Sequence, residues 1–388
     1  MTTTTTWTDR RTTAPTGHPL LSPHDLAGLA LPNRVVMAPM TRMRADHRGV
    51  PTPLMIEYYR QRAGAALIVS EGISPNIAGR HHPLQPGLDT EEQVAAWRSV
   101  TGAVHTAGGR IFAQLMHSGR NTHPANRPDG GIPVAPSAVV APGPVHTLDG
   151  KVDPVVPRAL TTEEVRRTVA DHAEAARAAI RAGFDGVEIH GANGYLVHQF
   201  LADGTNLRAD RYGGPVSGRI RFAVEVVEAV ADAIGAHRVG LRISPGNKEG
   251  GMVERDPAPT YRALLAAIAP LGPAYLHLTD DPRYPALDDL RPRWSGTLVG
   301  NTGEHVETTQ ESATALVASG RADLVSVGRP YIFNPDVVER IAAGVAWAPI
   351  RGKDYHYGSG PHGYVDLPRH DAGTTLRTPA PISEKLEE

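Results

Sequence analysis

Eight short apolar runs recur along the chain, at residues 34–40, 66–70, 110–115, 186–190, 239–243, 274–278, 297–300 and 324–327, and helical patterns separate most of them. Most are continuous rather than alternating, as expected for parallel strands buried on both faces. Parallel strands need crossovers, and eight strands with seven or eight crossovers is the count of a (β/α)8 TIM barrel, an α/β fold. A doubly wound open sheet has the same local pattern and stays as the topological alternative, because pattern does not report closure. The length of 388 residues suits one barrel with insertions.

The clearest helix is predicted over 161–182. Thr161 and Glu164 have the spacing of a capping box, Val165, Val169, Ala173, Ala176 and Ile180 fall on one face, and Gly183 closes the element. Weaker patterns cover 91–107, 219–234, 259–268, 307–319 and 336–343, whereas 284–294 is poor in helix signal. Residues 121–158 are rich in Pro and Gly and carry no helix period. They form a long insertion that leaves the third strand at its C-terminal end, where barrel chemistry sits. The expected organisation is a disordered segment over 1–20, a single barrel domain over 21–370 and a tail over 371–388.

Composition excludes several classes. There is no Cys, so disulfides, thiolate metal sites and Cys nucleophiles are out. A formal charge of −2, with scattered basic residues that include only four Lys, gives no reason to expect nucleic acid or an anionic membrane surface. The Thr-rich start lacks the apolar core of a signal peptide, and no later run is long and apolar enough to span a bilayer. A cytoplasmic monomer or homodimer acting on small molecules is the expectation.

In a barrel of this kind, functional side chains stand at the C-terminal ends of strands and in the loops that follow. Those positions hold Pro39, Met40 and Thr41, Glu71 and Gly72, Gln114 and His117, His190 with Asn193 and Tyr195, Arg242, Asp280, Asn301, Thr302 and Gly303, and Gly328 with Arg329. There are few carboxylates, no Lys for a Schiff base and no metal-binding set. The residues suit a planar, polar group with an anionic end. Spacings of three and five from His190 let an imidazole and an amide (Asn193) converge on one oxygen while the Tyr195 phenol stands apart. Two donors on a carbonyl or nitro oxygen stabilise developing negative charge, and a phenol over the neighbouring carbon can deliver a proton. The bland alternatives are a satisfied core His and Tyr, a turn-capping Thr41, an Arg242 paired with Glu188 and a surface Tyr364. His81 and His82 are adjacent in a loop without ligand spacing and are set aside. No GxGxxG follows a strand, which disfavours a Rossmann-bound dinucleotide.

Six strings occur in order: VVMAPMTRMR (35–44), FAQLMHSGR (112–120), AGFDGVEIHGANGYLVHQFL (182–201), NLRADRYGG (206–214), LRISP (241–245) and VSVGRPYIFNPD (325–336). Together they resemble the Old Yellow Enzyme family, a resemblance that covers about residues 20–370. The resemblance implies non-covalent FMN, a transient NADPH or NADH reductant, and reduction of the activated C=C bond of α,β-unsaturated carbonyl or nitro compounds. It assigns oxyanion donation to His190 and Asn193 and proton donation to Tyr195. Thr41 would bond the flavin carbonyl near the reactive nitrogen, and Gln114 would pair with the pyrimidine edge. Pro39 and Met40 would back the ring, Gly72 would allow its approach, and Arg242 would stabilise the reduced anion. Gly328, Arg329 and Gly303 would grip the phosphate, while Met116, where many members carry Trp, and Tyr364 would shape the substrate pocket. A redox-neutral flavin-assisted isomerase, a nitro or nitrate-ester reductase, a flavin-free barrel lyase and a non-catalytic binding barrel are the alternatives.

Overall fold

The structure, a computed structural model, describes residues 17–303, 306–352, 355–358 and 360–370. Eight parallel strands close into a barrel: β1 (Val35–Met37), β2 (Leu67–Ile73), β3 (Ile111–Leu115), β4 (Gly186–Gly191), β5 (Val239–Ile243), β6 (Tyr275–Thr279), β7 (Thr297–Asn301) and β8 (Leu324–Val327). Each pairs with its sequence neighbours, and β8 pairs with β1, which removes the open-sheet alternative. The eight apolar runs are these strands, displaced by at most a few residues at their ends.

The helix Thr162–Arg181 begins with the expected reciprocal capping box between Thr161 and Glu164. Residues 284–294 depart from expectation. Ala286–Leu290 is a one-turn helix followed by a 3-10 turn at Arg291–Arg293, both too short for a 3.6-residue period to show. The expected insertion after β3 contains a 3-10 turn (Pro124–Asn126), a hairpin (Val145–Thr147 with Gly150–Val152) and a short parallel pair (Val134–Ala135 with Arg158–Ala159). The loose ends expected at 1–16 and 371–388 lie outside the described residues. The expectation for residues 17–20 needs correction: Pro19–Leu21 is a 3-10 turn with Leu20 fully buried.

The barrel interior changes character along the strands. Toward the N-terminal ends, Val36, Leu67, Val69, Phe112, Tyr275, Val299 and Leu324 pack together, and the hairpin His24–Leu26/Leu29–Leu31 adds Leu26 and Leu31 to the same cluster. Side chains two residues further along a strand point to the same face. On that face Gln114 follows Phe112, His277 follows Tyr275, Asn301 follows Val299 and Ser326 follows Leu324. The apolar floor thus gives way to a polar layer, on which the mouth of the barrel is built. Among the described residues no helix is long and apolar enough to cross a membrane.

Candidate active site

A cavity of about 550 Å3 opens at the C-terminal mouth. Its walls include Pro39, Met40, Thr41, Gln114, Met116, His190, Asn193, Tyr195, Arg242, Gly303, Gly328 and Arg329, so twelve sequence-selected residues from six strand ends meet there.

The turn after β4 is fixed from several sides. Asn193 has a left-handed φ of 53°, a conformation Asn tolerates better than most residues. Its N–H donates to Ser244 Oγ (2.9 Å), and the N–H of Gly194 donates to His198 Nδ1 (3.0 Å). The carbonyl of Gly194 accepts from Asn121 Nδ2 (2.8 Å) and Gln199 Nε2 (2.7 Å). Tyr195 then starts the helix Leu196–Leu201, its ring set edge-on to His190 (centroids 4.8 Å) and to His81 (5.3 Å). His190 Nδ1 accepts from the Ala192 N–H (3.3 Å), which leaves Nε2 as the ring's N–H donor. Burial, then the Arg242 charge, holds this imidazole well below its ordinary pKa, which favours the neutral ring.

Charge in the cavity is one-sided. Among the described lining residues there are two guanidinium groups, Arg242 and Arg329, and no carboxylate. Arg242 donates to Thr279 Oγ1 (3.4 Å), and its buried Nε has no partner in the structure. Glu188 takes Gln114, Tyr275 and His277 as its hydrogen-bond partners, so the structural pairing of Arg242 with Glu188 is not what the fold builds. His81 is drawn down to about 4 and His82 well below its ordinary value, both by burial first, so neither adds charge. A long cavity with a cation at each of two places and neutral donors and acceptors between them fits a planar heterocycle that carries a phosphate.

Three expected contacts are placed differently. Gly72 lies behind Met116: a Cβ there would stand 2.6 Å from the Met116 sulfur, so the missing side chain makes room for a neighbour rather than for a ligand. Tyr364 is fully buried outside the cavity wall, stacked on Tyr58 (4.1 Å between nearly parallel rings) with the Arg44 guanidinium over it. His356 and Tyr357, from the same segment, line the cavity instead. The cause is Arg42, which donates to the carbonyls of Tyr355, His356 and Gly363 and so fixes which part of the segment faces inward. Gly303 lines the wall with φ 110° and a Cβ position 2.8 Å from the Asp280 carbonyl oxygen, so only glycine fits. Its N–H, however, already donates to Asn301 Oδ1 (3.0 Å) and is not a spare phosphate donor.

His81 and His82 lack metal-ligand spacing, yet both line the cavity. Their place in the loop after β2 was the informative signal. They also border an annex of about 200 Å3 whose far side is residues 141–146 of the long insertion.

Under the Thr41–Arg42 turn, Glu71 accepts from the Arg42 N–H and from Tyr59. Burial raises its carboxyl from 4.5 to about 7 against those donors. A group whose folded pKa is raised stabilises the fold fully below its unfolded pKa, and that stability is lost as pH rises through the folded value. Between pH 4.5 and 7 this residue therefore withdraws roughly 3 kcal/mol of stability. Denaturant titrations across that range should show the decline in the wild type and a flatter profile in Glu71→Gln. Identical slopes in the two proteins would contradict this.

The closed barrel thus carries, at its C-terminal mouth, a polar two-cation cavity that fits a planar cofactor with a phosphate. Residues 19–347 match the family described as NADH:flavin oxidoreductase / NADH oxidase, and the chain belongs to this family, that of the Old Yellow Enzymes. It is 39% identical over 377 residues to 12-oxophytodienoate reductase 7 of Oryza sativa subsp. japonica, covering 90% of this chain and 94% of the relative. The Old Yellow Enzyme homologue from Zymomonas mobilis superposes with a TM-score of 0.85 at 40% identity, covering 90% of this chain and 99% of that one. Morphinone reductase in complex with tetrahydroNAD superposes with a TM-score of 0.86 at 41% identity, covering 92% and 99%. The protein is accordingly an FMN-dependent NAD(P)H oxidoreductase of the ene-reductase type.

Proposed function

We propose that this cavity reduces the activated C=C bond of α,β-unsaturated carbonyl or nitro compounds, with His190 and Asn193 holding the acceptor oxygen and Tyr195 supplying the proton. The observation that carries the reading is the convergence of a neutral imidazole N–H donor, an amide and a phenol beside a cavity with no carboxylate among its described lining residues.

When bound, FMN would supply hydride chemistry, with a nicotinamide as the source of the electrons. Pro39, Met40, Thr41 and Gln114 would hold its ring and Arg242 the charge on it, while Gly328 and Arg329 would hold the phosphate. His190 Nε2 and the Asn193 amide donate to the substrate oxygen and become stronger partners as that oxygen gains charge. The Tyr195 hydroxyl passes its proton to the α-carbon and is reprotonated from solvent. Met116 and the annex beside His81 shape what fits beyond the reacting bond. The complex of morphinone reductase with tetrahydroNAD supports a nicotinamide as the reductant.

The visible absorbance of the purified protein tests this. Yellow bands that bleach with NADPH in the absence of oxygen and return on adding cyclohexenone are expected. A flavin that bleaches but is not reoxidised by any enone or nitroalkene would reject the substrate class.

A further inference from the structure

Below the cavity, the polar layer of the barrel is a connected network organised on one carboxylate that the chemistry above does not use. Glu188 on β4 is completely buried and does not line the cavity. Its Oε1 accepts from Gln114 Nε2 (2.8 Å), and its Oε2 accepts from the Tyr275 hydroxyl (3.0 Å) and from His277 Nδ1 (2.8 Å). His277 Nε2 meets Ser326 Oγ (2.8 Å), which also accepts from Asn301 Nδ2 (3.1 Å). Every contact is consistent with one assignment: an ionised carboxylate taking three donors, and a neutral His277 that donates from Nδ1 and accepts from the Ser326 hydroxyl at Nε2. Burial works against the Glu188 charge, but the hydrogen bonds from His277 and Gln114 and the Arg242 charge favour it, and the carboxyl lies below its ordinary range. Burial holds His277 down as well, which agrees with a neutral ring.

This has a consequence for Gln114. An ionised carboxylate only accepts, so the Gln114 amide must turn its NH2 toward Glu188, and its carbonyl oxygen is the atom left to face the cavity. An amide without such an anchor rotates to suit whatever it meets. The pyrimidine edge of a flavin carries one N–H, at N3, between two carbonyl oxygens. A fixed acceptor matches that N–H, whereas a flipped amide would set donor against donor.

We propose that Glu188 is a positioning residue for the cofactor: it locks Gln114 as an acceptor toward flavin N3–H and places a fixed negative charge beneath the ring, opposing reduction. The proposal rests on the FMN reading of the cavity.

Two measurements test it, the first on apoprotein reloaded with flavin and the second on the holoenzyme, and neither depends on turnover. The first compares binding of FMN and 3-methyl-FMN to wild-type apoprotein, where at least a tenfold preference for FMN is expected; equal affinities would overturn the proposal without any variant. The second is the flavin midpoint potential. In Glu188→Gln the buried charge is gone and the Gln114 amide is free to rotate. The reduced:oxidised equilibrium should shift about tenfold toward reduced flavin, about 30 mV more positive for a two-electron couple, and the preference over 3-methyl-FMN should shrink. Glu188→Asp keeps the charge but withdraws it from Gln114, so the preference should shrink while the potential stays near wild type. A folded, flavin-loaded Glu188→Gln with unchanged potential and unchanged preference would overturn the proposal. Wild-type protein that takes up no FMN would instead reject the cofactor reading itself.

Discussion

Tyr195→Phe should slow reoxidation of the reduced flavin by an enone by about 10²–10⁴-fold, the usual worth of a positioned general acid. Reduction by NADPH should be unchanged, because no proton from this phenol is needed there. The substitution isolates the hydroxyl: a phenyl ring keeps the edge-on packing against His190 and His81 that holds the residue over the cavity. Anaerobic stopped-flow mixing separates the two half-reactions. Equal losses in both would mean that Tyr195 shapes the cavity rather than donating the proton. An unchanged oxidative rate would mean that the proton comes from elsewhere.

The second large effect is expected for His190→Ala. Removing one donor from an oxygen that gains charge costs about 10²–10³ in rate. Because burial and Arg242 hold the imidazole well below its ordinary pKa, it does not change charge near pH 6.5. The oxidative half-reaction of the wild type should therefore show no acid limb at that pH from this residue. A limb there that disappears in His190→Ala would show that the ring changes charge in this range, contrary to the account. Weaker enone binding with an unaltered maximal rate would also contradict it, since the donor would then hold ground state and transition state equally.

The barrel was legible because its strands are buried on both faces and so appear as continuous apolar runs between amphipathic helices. The capped helix Thr162–Arg181 was legible for a local reason, since Thr161 and Glu164 satisfy each other's backbone donors three residues apart. The one-turn helix at Ala286–Leu290 was not, because five residues do not display a helical period. Most cavity residues could be picked by position alone, as the ends of parallel strands. What failed was orientation. Tyr364 and Tyr357 are both aromatic residues in a Pro- and Gly-rich segment, and the choice between them is made by Arg42 bonding to backbone carbonyls, which carry no sequence signature. His81 and His82 were weighed against metal spacing when their loop was the better guide. Glu188 is a sequence candidate for pairing with Arg242, whereas the curvature of the closed barrel brings it to Gln114 on the adjacent β3 and to Tyr275 and His277 on β6, two strands away. Such cross-barrel partners follow from closure and register, which local pattern does not contain.

The central claim is that one cavity adds hydride and proton to opposite carbons of an activated alkene. The direct measurement is where deuterium goes when cyclohexenone is reduced. With NADPH deuterated at C4 in ordinary water, the label should appear at the β-carbon of cyclohexanone; with unlabelled NADPH in D2O, it should appear at the α-carbon. Label from the nicotinamide at the α-carbon, or an enone recovered with its double bond intact while the flavin cycles, would contradict the account.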